Sequence, residues 1–232
     1  MLKGKVPVNR SDLDQLAKWD TPTICNALEL LNPALPLTSY TTVPGVSIAE
    51  AAAPMVGIAR VGTIRSREPA RSASADRFDW YDYVGDADLP TIVVLQDLDE
   101  PAGAGSFWGE VHSRVHLSLG ARGCVTNGSF RDVDAWAIGF RMFGGGLSPS
   151  HAHVHVVEFG RPVDVLGMHV EHDQIVHGDH HGAVVVPYDA VKLLPEAIEA
   201  IARKERRVLD LCSAPKFSSK LMRSVLKQGH IH

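Results

Sequence analysis

The chain has 232 residues, of which 45% are apolar and 22% are charged, and its formal net charge is −4 at pH 7. This composition is sufficient for a sizeable core, and the negative charge argues against nucleic-acid binding through bulk electrostatics. The three cysteines are far apart and form no CxxC pair, so we expect reduced thiols in a cytoplasmic protein and no disulfide framework.

No apolar run approaches the roughly 18 residues of a membrane span. The first residues, MLKGKVPVNR, include basic side chains but lack the apolar segment of a signal peptide. No repeat, low-complexity segment or linker is evident. We therefore expect a single domain over residues 1–232 without membrane contact.

The first half of the chain predicts alternating helices and strands. Ser11 is a suitable N-cap for the first helix, and Pro33 ends the second because proline cannot continue a helix. In chain order, the predicted elements are helices over Ser11–Trp19 and from Asp20-Thr21-Pro22 to Leu31, a strand over Val56–Ile64, a loop over Arg65–Ser74, a helix over Ala75–Val84, a buried strand over Thr91–Leu95 and a helix over Ser106–Leu119.

The helix predicted over Ser106–Leu119 follows a glycine-rich segment, Gly103–Ser106, whose backbone N–H groups could hold an anion. His112 lies close to this segment. It either donates a hydrogen bond to a ligand carboxylate or is a solvated helix histidine. The inward positions expected for this helix are Trp108, Val111, Val115 and Leu119.

The stretch Gly123–Gly146 carries polar residues typical of a ligand site. Ligands of α/β folds often bind where a strand ends and a helix begins. An arginine there can bind a carboxylate through two hydrogen bonds, and an aspartate offers the hard oxygen that Mg²⁺ or Mn²⁺ prefers. The alternative is a surface Arg and an Asp near a helix N-terminus. The predicted elements are a strand over Cys124–Thr126, a turn over Asn127–Ser129, a helix that starts at Arg131 and Asp132, and a strand over Phe140–Phe143.

The second half of the chain predicts several short strands and then helices. This order, after the alternation in the first half, is typical of a layered α/β fold. The predicted elements are strands over Ala152–Phe159, Val163–Leu166, Met168–Val170 and Ala183–Val186, a helix over Val191–Leu209 that starts afresh at Pro195, and a short basic helix within Cys212–His232.

Twelve histidines are many for this length. His151, His153 and His155 alternate, so on a strand they would share one face, and five more follow between His169 and His181. Imidazole suits zinc, but the chain has no HExxH motif and no cysteine nearby. The row therefore predicts a half-exposed face or a subunit contact, with a zinc site as the alternative.

Taken together, the motifs resemble those of the regulator of ribonuclease activity A family, which includes the 4-hydroxy-4-methyl-2-oxoglutarate aldolases. The spacing from Gly109 to Arg131 fits the family's pairing of a substrate loop with an Arg-Asp motif. The resemblance covers the chain from about Leu13 to Cys212. The matching segments are Thr21–Leu28, Trp108–Glu110, Gly123–Asp134, Gly139-Phe140, Ser148-Pro149, Phe159–Val163 and Gly182–Pro187.

The resemblance implies an α/β fold, a layered α-β-β-α sandwich related to the swivelling phosphohistidine domains. It also implies a homotrimeric ring, sometimes doubled to a hexamer, with active sites in the clefts between subunits. The aldolase members depend on a divalent metal, usually Mg²⁺ or Mn²⁺. They cleave 4-hydroxy-2-oxo acids to pyruvate and a second oxo acid, and they commonly decarboxylate oxaloacetate.

Carried over residue by residue, the resemblance implies a site for a small 2-oxo acid. Arg131 would bind the substrate near its ketone and enolate oxygen, and Asp132 would be the direct protein ligand of the metal. An acidic residue that reaches the metal through water stands at the position of Glu110, so Glu110 and Arg131 would be catalytic. The substrate carboxylate would be held by the backbone of Gly109, Glu110, Val111 and His112.

The chemistry is consistent with these residue types. Cleavage of the C3–C4 bond of a 2-oxo acid leaves a pyruvate enolate, which a divalent cation stabilises as a Lewis acid. Arg131 would add a fixed positive charge where the negative charge develops. Other members of the family regulate the RNA degradation machinery. The alternative is therefore a non-catalytic ring that binds RNA-processing enzymes, for which the basic segment Arg203–Lys227 is the candidate contact, unless it is only a solvated face.

Overall fold

The computed structural model describes residues 7–48, 53–70, 74–213 and 217–226. The helices of this part of the chain are α1 (Arg10–Leu16), α2 (Thr21–Leu31), α3 (Arg77–Gly85), α4 (Glu110–Ser118), α5 (Leu194–Cys212) and α6 (Ser219–Leu226). The strands are β1 (Val46–Ser47), β2 (Met55–Arg65), β3 (Thr91–Asp97), β4 (Ser106–Trp108), β5 (Ala121–Thr126), β6 (Ser129–Phe130), β7 (Arg141–Gly144), β8 (Gly146–Leu147), β9 (His155–Phe159), β10 (Val163–Val165), β11 (Met168–Val170), β12 (Ile175–Asp179) and β13 (Gly182–Val186).

The largest sheet has the strand order β1-β7-β5-β3-β2-β12-β13, and β9 also pairs with β2. Strands β2, β3, β5 and β7 are mutually parallel, whereas β1, β9, β12 and β13 join antiparallel. Parallel strands are usually covered on both faces, which explains why β3 is almost entirely buried and carries the apolar run Ile92–Leu95. The sheet curls into a half-barrel flanked by helices, so the predicted α/β class is confirmed. The α-β-β-α sandwich stays a prediction.

The core is made of clusters that follow the layers. Helices α1, α2 and α5 pack around β12 and β13, where Leu13, Ile24 and Leu194 are completely buried. The β10–β11 hairpin covers a second cluster over the middle of the sheet. Helices α3 and α4 bury Trp80 and Trp108 in a third cluster, beside the short sheet described below.

Many predicted elements are confirmed with shifted ends. The strand predicted over Val56–Ile64 is β2, the helix to Leu31 is α2, and the short basic helix in the tail is α6. The first helix is capped by Asn9 rather than Ser11, because the Asn9 side chain accepts from Asp12 N–H in a capping box. The helix predicted from Val191 begins at Leu194, with Pro195 in its first turn.

The single helix predicted over Ser106–Leu119 is wrong, since its first residues form β4 and α4 begins only at Glu110. Of the predicted inward positions, Trp108 is confirmed, since it is completely buried, whereas Val111 is wrong. Val111 is 68% exposed, whereas the buried positions of α4 are Ser113 and His116. Their polar groups find partners inside the protein, so the apolar residues alone do not mark the buried face.

Three further predictions are corrected. The helix predicted from Arg131 does not form, because Asp132 has φ 55° and ψ 40°, a left-handed conformation that cannot continue a helix. Only a 3-10 turn, Val133–Ala135, follows. The strand predicted over Ala152–Phe159 starts at His155, so His151 and His153 precede it. The strand β12 was missed, because the polar residues His177 and Asp179 interrupt its apolar pattern.

None of the helices in the described ranges combines the length and the apolar character needed to cross a membrane.

Candidate functional site

A small parallel sheet brings the predicted site residues together. Its strands run in the order β4-β6-β8, and Trp108 of β4 pairs with Phe130 of β6. Because parallel strands end at the same edge, the residues that follow β4 and β6 become neighbours. Gly109 and Glu110 follow the first strand, Arg131 and Asp132 follow the second, and Arg131 N–H donates to the Trp108 carbonyl at 3.0 Å.

Gly109 is the contact point between these two segments. A β-carbon at this position would lie 2.6 Å from Oδ2 of Asp132 and 3.3 Å from Cγ of Arg131. The Asp132 carboxylate therefore occupies the space that a side chain at position 109 would fill. Its Oδ2 accepts a long hydrogen bond of 3.4 Å from Glu110 N–H and lies 3.6 Å from Nε of Arg131.

The start of α4 is open toward a ligand. Gly109 is its N-cap and provides no side-chain cap, so the first N–H groups of the helix have no partner within it. These N–H groups belong to Glu110, Val111 and His112, and they carry the partial positive charge of the helix N-terminus. The Glu110 carboxylate points along the helix and pairs with Arg114, at 3.0 Å from Nη2 and 3.1 Å from Nε.

A cleft of about 610 Å³ opens at this edge. Gly109, Val111, His112, Arg131 and Asp132 line it, so five of the six predicted site residues share one cavity, and the sixth, Glu110, adjoins it. The remaining charged or titratable residues on its wall, which the sequence did not link to the site, are Arg77, His151, His153 and His155.

The cleft is rich in hydrogen-bond donors and cationic groups. Asp132 is the single acidic residue among the described residues that line it, against two arginines and four histidines. Arg77 and the histidine segment lie far in sequence from the Arg-Asp motif, and β9 brings the segment close by pairing with β2. Such an environment favours an anionic ligand.

His116 is completely buried under the cleft, and the partly buried His112 packs beside it. The ring centroids are 5.7 Å apart, and the Trp80 indole N–H donates to Nε2 of His116 at 2.9 Å. Nδ1 of His116 consequently carries the proton and donates to the His112 carbonyl at 2.7 Å. Burial lowers the pKa of His116 to about 3. Burial, with Arg77 and Arg131 nearby, lowers the pKa of His112 to about 4.

These values make both imidazoles neutral near pH 7, because each folded-state pKa lies well below that pH. Nδ1 of His112 is buried without a hydrogen-bond partner among the described residues. A neutral imidazole at the cleft wall can donate or accept one hydrogen bond. The alternative prediction, in which His112 is a solvated histidine on the surface of the helix, is therefore wrong.

The Asp132 carboxylate fits a hard divalent cation. Its side chain is 40% exposed at the cleft, and within the described ranges the polar contacts of the carboxylate involve Oδ2. Oδ1 is thus open for a ligand. A single carboxylate with several waters suits Mg²⁺ or Mn²⁺ better than Zn²⁺, which requires more protein ligands.

The glycine-rich segment before β4 serves a different purpose from the one predicted. Gly103 N–H donates to Oδ2 of Asp97 at 2.7 Å, and Ser106 N–H donates to the Ser150 carbonyl at 2.9 Å. These donors are used by the protein itself. We therefore expect an anionic ligand to bind the N–H groups at the start of α4 instead.

The histidine row does not form a compact metal cluster. Across the described ranges, one group of three or more His, Cys, Asp or Glu side chains has all its ligand atoms within 4.8 Å, and it is Asp179, His180 and His181. This group lies at the β12–β13 turn. His151, His153 and His155 instead line the cleft.

Comparisons with known proteins extend these observations. The family model described as RraA-like, Aldolase/RraA, matches residues 21–185. An uncharacterized protein of Methanocaldococcus jannaschii, MJ0644, is 30% identical over 118 residues, which are 50% of this chain and 57% of that protein. The match therefore spans little more than half the length of this curated relative.

Two solved structures have similar folds. An uncharacterized protein from Pseudomonas syringae pv. tomato is 19% identical with a TM-score of 0.68, covering 93% of this chain and 94% of that one. Streptomyces coelicolor RraAS2, described as an unusual member of the RNase ES inhibitor RraA protein family, is 18% identical with a TM-score of 0.68, covering 90% and 100%. At these identities the likeness concerns the fold alone.

Proposed function

The chain belongs to the RraA-like family, and on this premise we propose that it is a divalent-metal-dependent lyase of small 2-oxo acids. The family includes both aldolase or decarboxylase enzymes and non-catalytic ribonuclease inhibitors, so membership leaves the activity open. The proposed reaction cleaves a 4-hydroxy-2-oxo acid to pyruvate and a second oxo acid, with decarboxylation of oxaloacetate as a related activity. The observation that carries the proposal is that Arg131, Asp132 and the start of α4 converge on one cleft.

The substrate carboxylate would bind at the start of α4. The N–H groups of Val111 and His112 offer donors without intrahelical partners, and that of Glu110 makes only a long bond of 3.4 Å to Asp132. The helix dipole also favours an anion there. Gly109 leaves this end of the helix uncapped by a side chain. The neutral imidazole of His112 would provide a further hydrogen bond from the cleft wall.

Arg131 would bind the ketone oxygen, where negative charge develops as the C3–C4 bond breaks. Its side chain is 36% exposed at the cleft, and its contact with Asp132 is long, so guanidinium N–H groups remain for the substrate. A fixed donor aimed at a developing oxyanion typically contributes about 3–4 kcal/mol to the transition state.

Asp132 would hold the metal, Mg²⁺ or Mn²⁺. When bound, such a cation supplies Lewis-acid stabilisation of the enolate charge. Glu110 would accept or return a proton at the substrate hydroxyl or at C3. For this role its carboxylate has to turn from Arg114 toward the cleft, which its 44% exposure permits.

We also propose a homotrimer, or a hexamer made of two trimers. Large exposed apolar side chains occur on the segments that build the site: Val111 is 68% exposed, Leu147 66% and Ile138 98%. Val111 lines the cleft itself, Leu147 lies on β8 and Ile138 follows the 3-10 turn. A second subunit at this edge would cover these side chains and close the cleft.

The second candidate function is that of a ring protein that regulates RNA-processing enzymes. It is favoured by the similarity to the Streptomyces coelicolor protein, described as a member of an RNase ES inhibitor family. The basic residues of α5 and α6, such as Arg206, Arg207 and Arg223, are exposed and could contact an acidic partner. Capture of a ribonuclease, without lyase activity, would favour this candidate.

The test is release of pyruvate from oxaloacetate with Mg²⁺ or Mn²⁺, compared with free metal and with added chelator. Asp132→Ala should abolish the enzymatic rate, because it removes the proposed metal ligand. Asp164→Ala is the matched control, since Asp164 is an exposed aspartate that pairs with His169 away from the cleft. A wild-type rate no higher than that of free metal would remove the main support for the lyase.

A further inference from the structure

The turn between β12 and β13 holds three metal-binding side chains outside the cleft. Asp179 and Gly182 pair across the hairpin, so His180 and His181 form the turn itself. The centroids of the two imidazole rings are 3.8 Å apart. One ligand atom from each of Asp179, His180 and His181 lies within 4.8 Å of the other two.

The carboxylate of this group is fixed by the fold. The Asp179 side chain is 3% exposed, its Oδ2 accepts Thr21 N–H at 2.8 Å, and its Oδ1 accepts His181 N–H at 2.8 Å. Burial alone would raise the pKa of Asp179, but these N–H groups hold it below its ordinary value. Oδ1, which His181 contacts through both its backbone N–H and its Nδ1, is therefore the oxygen on the side of that imidazole.

The two histidines face this carboxylate from the solvent side. Nδ1 of His181 is 3.1 Å from Oδ1 of Asp179, and both imidazoles are exposed. A compact set of two imidazoles and one carboxylate, open to water in the remaining positions, is suited to a transition metal.

We propose that Asp179, His180 and His181 form a surface site for a divalent transition-metal ion of the zinc class. The ion would connect the β12–β13 turn, through the Asp179 carboxylate, with Thr21 at the start of α2. The turn site and the Asp132 site should prefer different metals, because Mg²⁺ and Mn²⁺ select oxygen ligands whereas zinc binds imidazole well. The proposal does not depend on lyase activity.

Zn²⁺ binding to the full chain without a polyhistidine tag, followed by calorimetry and equilibrium dialysis, tests the site. We expect one Zn²⁺ per chain at this turn. In His180→Ala/His181→Ala the Kd of that site should rise by more than about 100-fold, since loss of an outer partner alone costs about 10–100-fold. Both histidines are exposed, so this variant should fold normally, which circular dichroism checks.

The matched control is His169→Ala/His172→Ala. It also removes two exposed histidines that each lie beside an aspartate, Asp164 or Asp173, but neither belongs to the compact group. This control should keep the Zn²⁺ site. Zn²⁺ should also raise the Tm of the wild type and of the control, but not that of the turn variant, because binding stabilises the folded state.

A second measurement identifies the ligands. Cu²⁺ substituted at the site should give electron paramagnetic resonance couplings from two imidazole nitrogens, and these should vanish in His180→Ala/His181→Ala. The proposal is overturned if the wild type binds no Zn²⁺, if the turn variant binds it as tightly, or if the control loses it equally.

Discussion

Two Arg–Asp pairs of this molecule differ in how far their guanidinium N–H groups remain available to a ligand. Arg60 is 5% exposed and donates to Asp173, to the Tyr83 carbonyl and to the Asp86 carbonyl. Arg131 is 36% exposed at a cleft and lies 3.6 Å from Asp132. Each of the three nitrogens of the first guanidinium already donates within the protein, so we call this pair saturated, and it connects three segments. The second retains donors, as a ligand-binding arginine requires.

The largest expected effect comes from the open pair. Arg131→Ala should lower kcat for oxaloacetate decarboxylation by about 10²–10³-fold, the usual cost of losing one donor to a developing oxyanion. The free energy of unfolding should change by less than about 0.5 kcal/mol, as for other exposed side chains. Pyruvate release and urea unfolding measure the two quantities. Full activity in this variant would contradict the assigned role of Arg131.

The saturated pair should show the opposite behaviour. Arg60→Ala removes the donor to two carbonyl groups and leaves Asp173 unpaired on that side, which should lower the free energy of unfolding by about 2–4 kcal/mol. The remaining folded protein should keep its kcat. Arg161→Ala is the control, since Arg161 is 78% exposed in its pair with Glu158 and should contribute less than about 1 kcal/mol.

Gly109 sharpens the comparison, because it allows the open pair to approach α4. In Gly109→Ala the new methyl group would meet Oδ2 of Asp132 at 2.6 Å and displace the carboxylate. The backbone itself is extended and not strained by a side chain. We expect kcat to fall by about 10–100-fold, comparable to a misplacement of about 1 Å in a catalytic group. A structure of the variant should show Asp132 displaced, and an unchanged kcat would contradict this steric role.

His112 and His116, beside the open pair, should make the free energy of unfolding depend on pH. The pKa values of His112 and His116, about 4 and about 3, lie below the ordinary 6.5, so the unfolded chain binds more protons. The stabilisation that comes from keeping the two imidazoles neutral is fully present above pH 6.5. It is lost as the pH falls from 6.5 toward the folded-state pKa values of about 4 and about 3. Between pH 7 and 5 the free energy of unfolding should fall by about 3–4 kcal/mol, roughly half of it from each histidine. His116→Gln keeps an acceptor for Trp80 and should reduce this slope; an equal slope would assign the effect to other groups.

The sequence predicted the sheet better than the site. Apolar runs such as Thr91–Leu95 identify buried strands, because burial on both faces requires them. The motif resemblance paired Gly109 with Arg131, and the parallel alignment of β4 with β6 gives the physical basis of that spacing. Periodicity failed at Asp132, because a left-handed residue leaves no mark in the apolar pattern.

Other features of the site depend on contacts between distant segments. Arg77 reaches the cleft through α3, and His155 reaches it because β9 crosses to pair with β2. No local pattern encodes either placement. The position of the proton on the His116 ring likewise depends on an indole 36 positions away in the chain. Residue types were therefore sufficient to propose a chemistry, whereas the walls of the cleft required the fold.

The smallest expected effect concerns the third pair of opposite charges, Glu110 and Arg114. It is exposed on both sides, at 44% and 61%, and spans one turn of α4, so it is worth about 0.3–0.5 kcal/mol. If Glu110 acts only after it leaves Arg114, then Arg114→Ala should raise kcat by about twofold, the factor that corresponds to this energy. Glu110→Gln should lower kcat strongly in either background. If Arg114→Ala instead lowers kcat as much as Glu110→Gln does, Arg114 holds Glu110 in its working position, and this exposed pair is part of the catalytic arrangement.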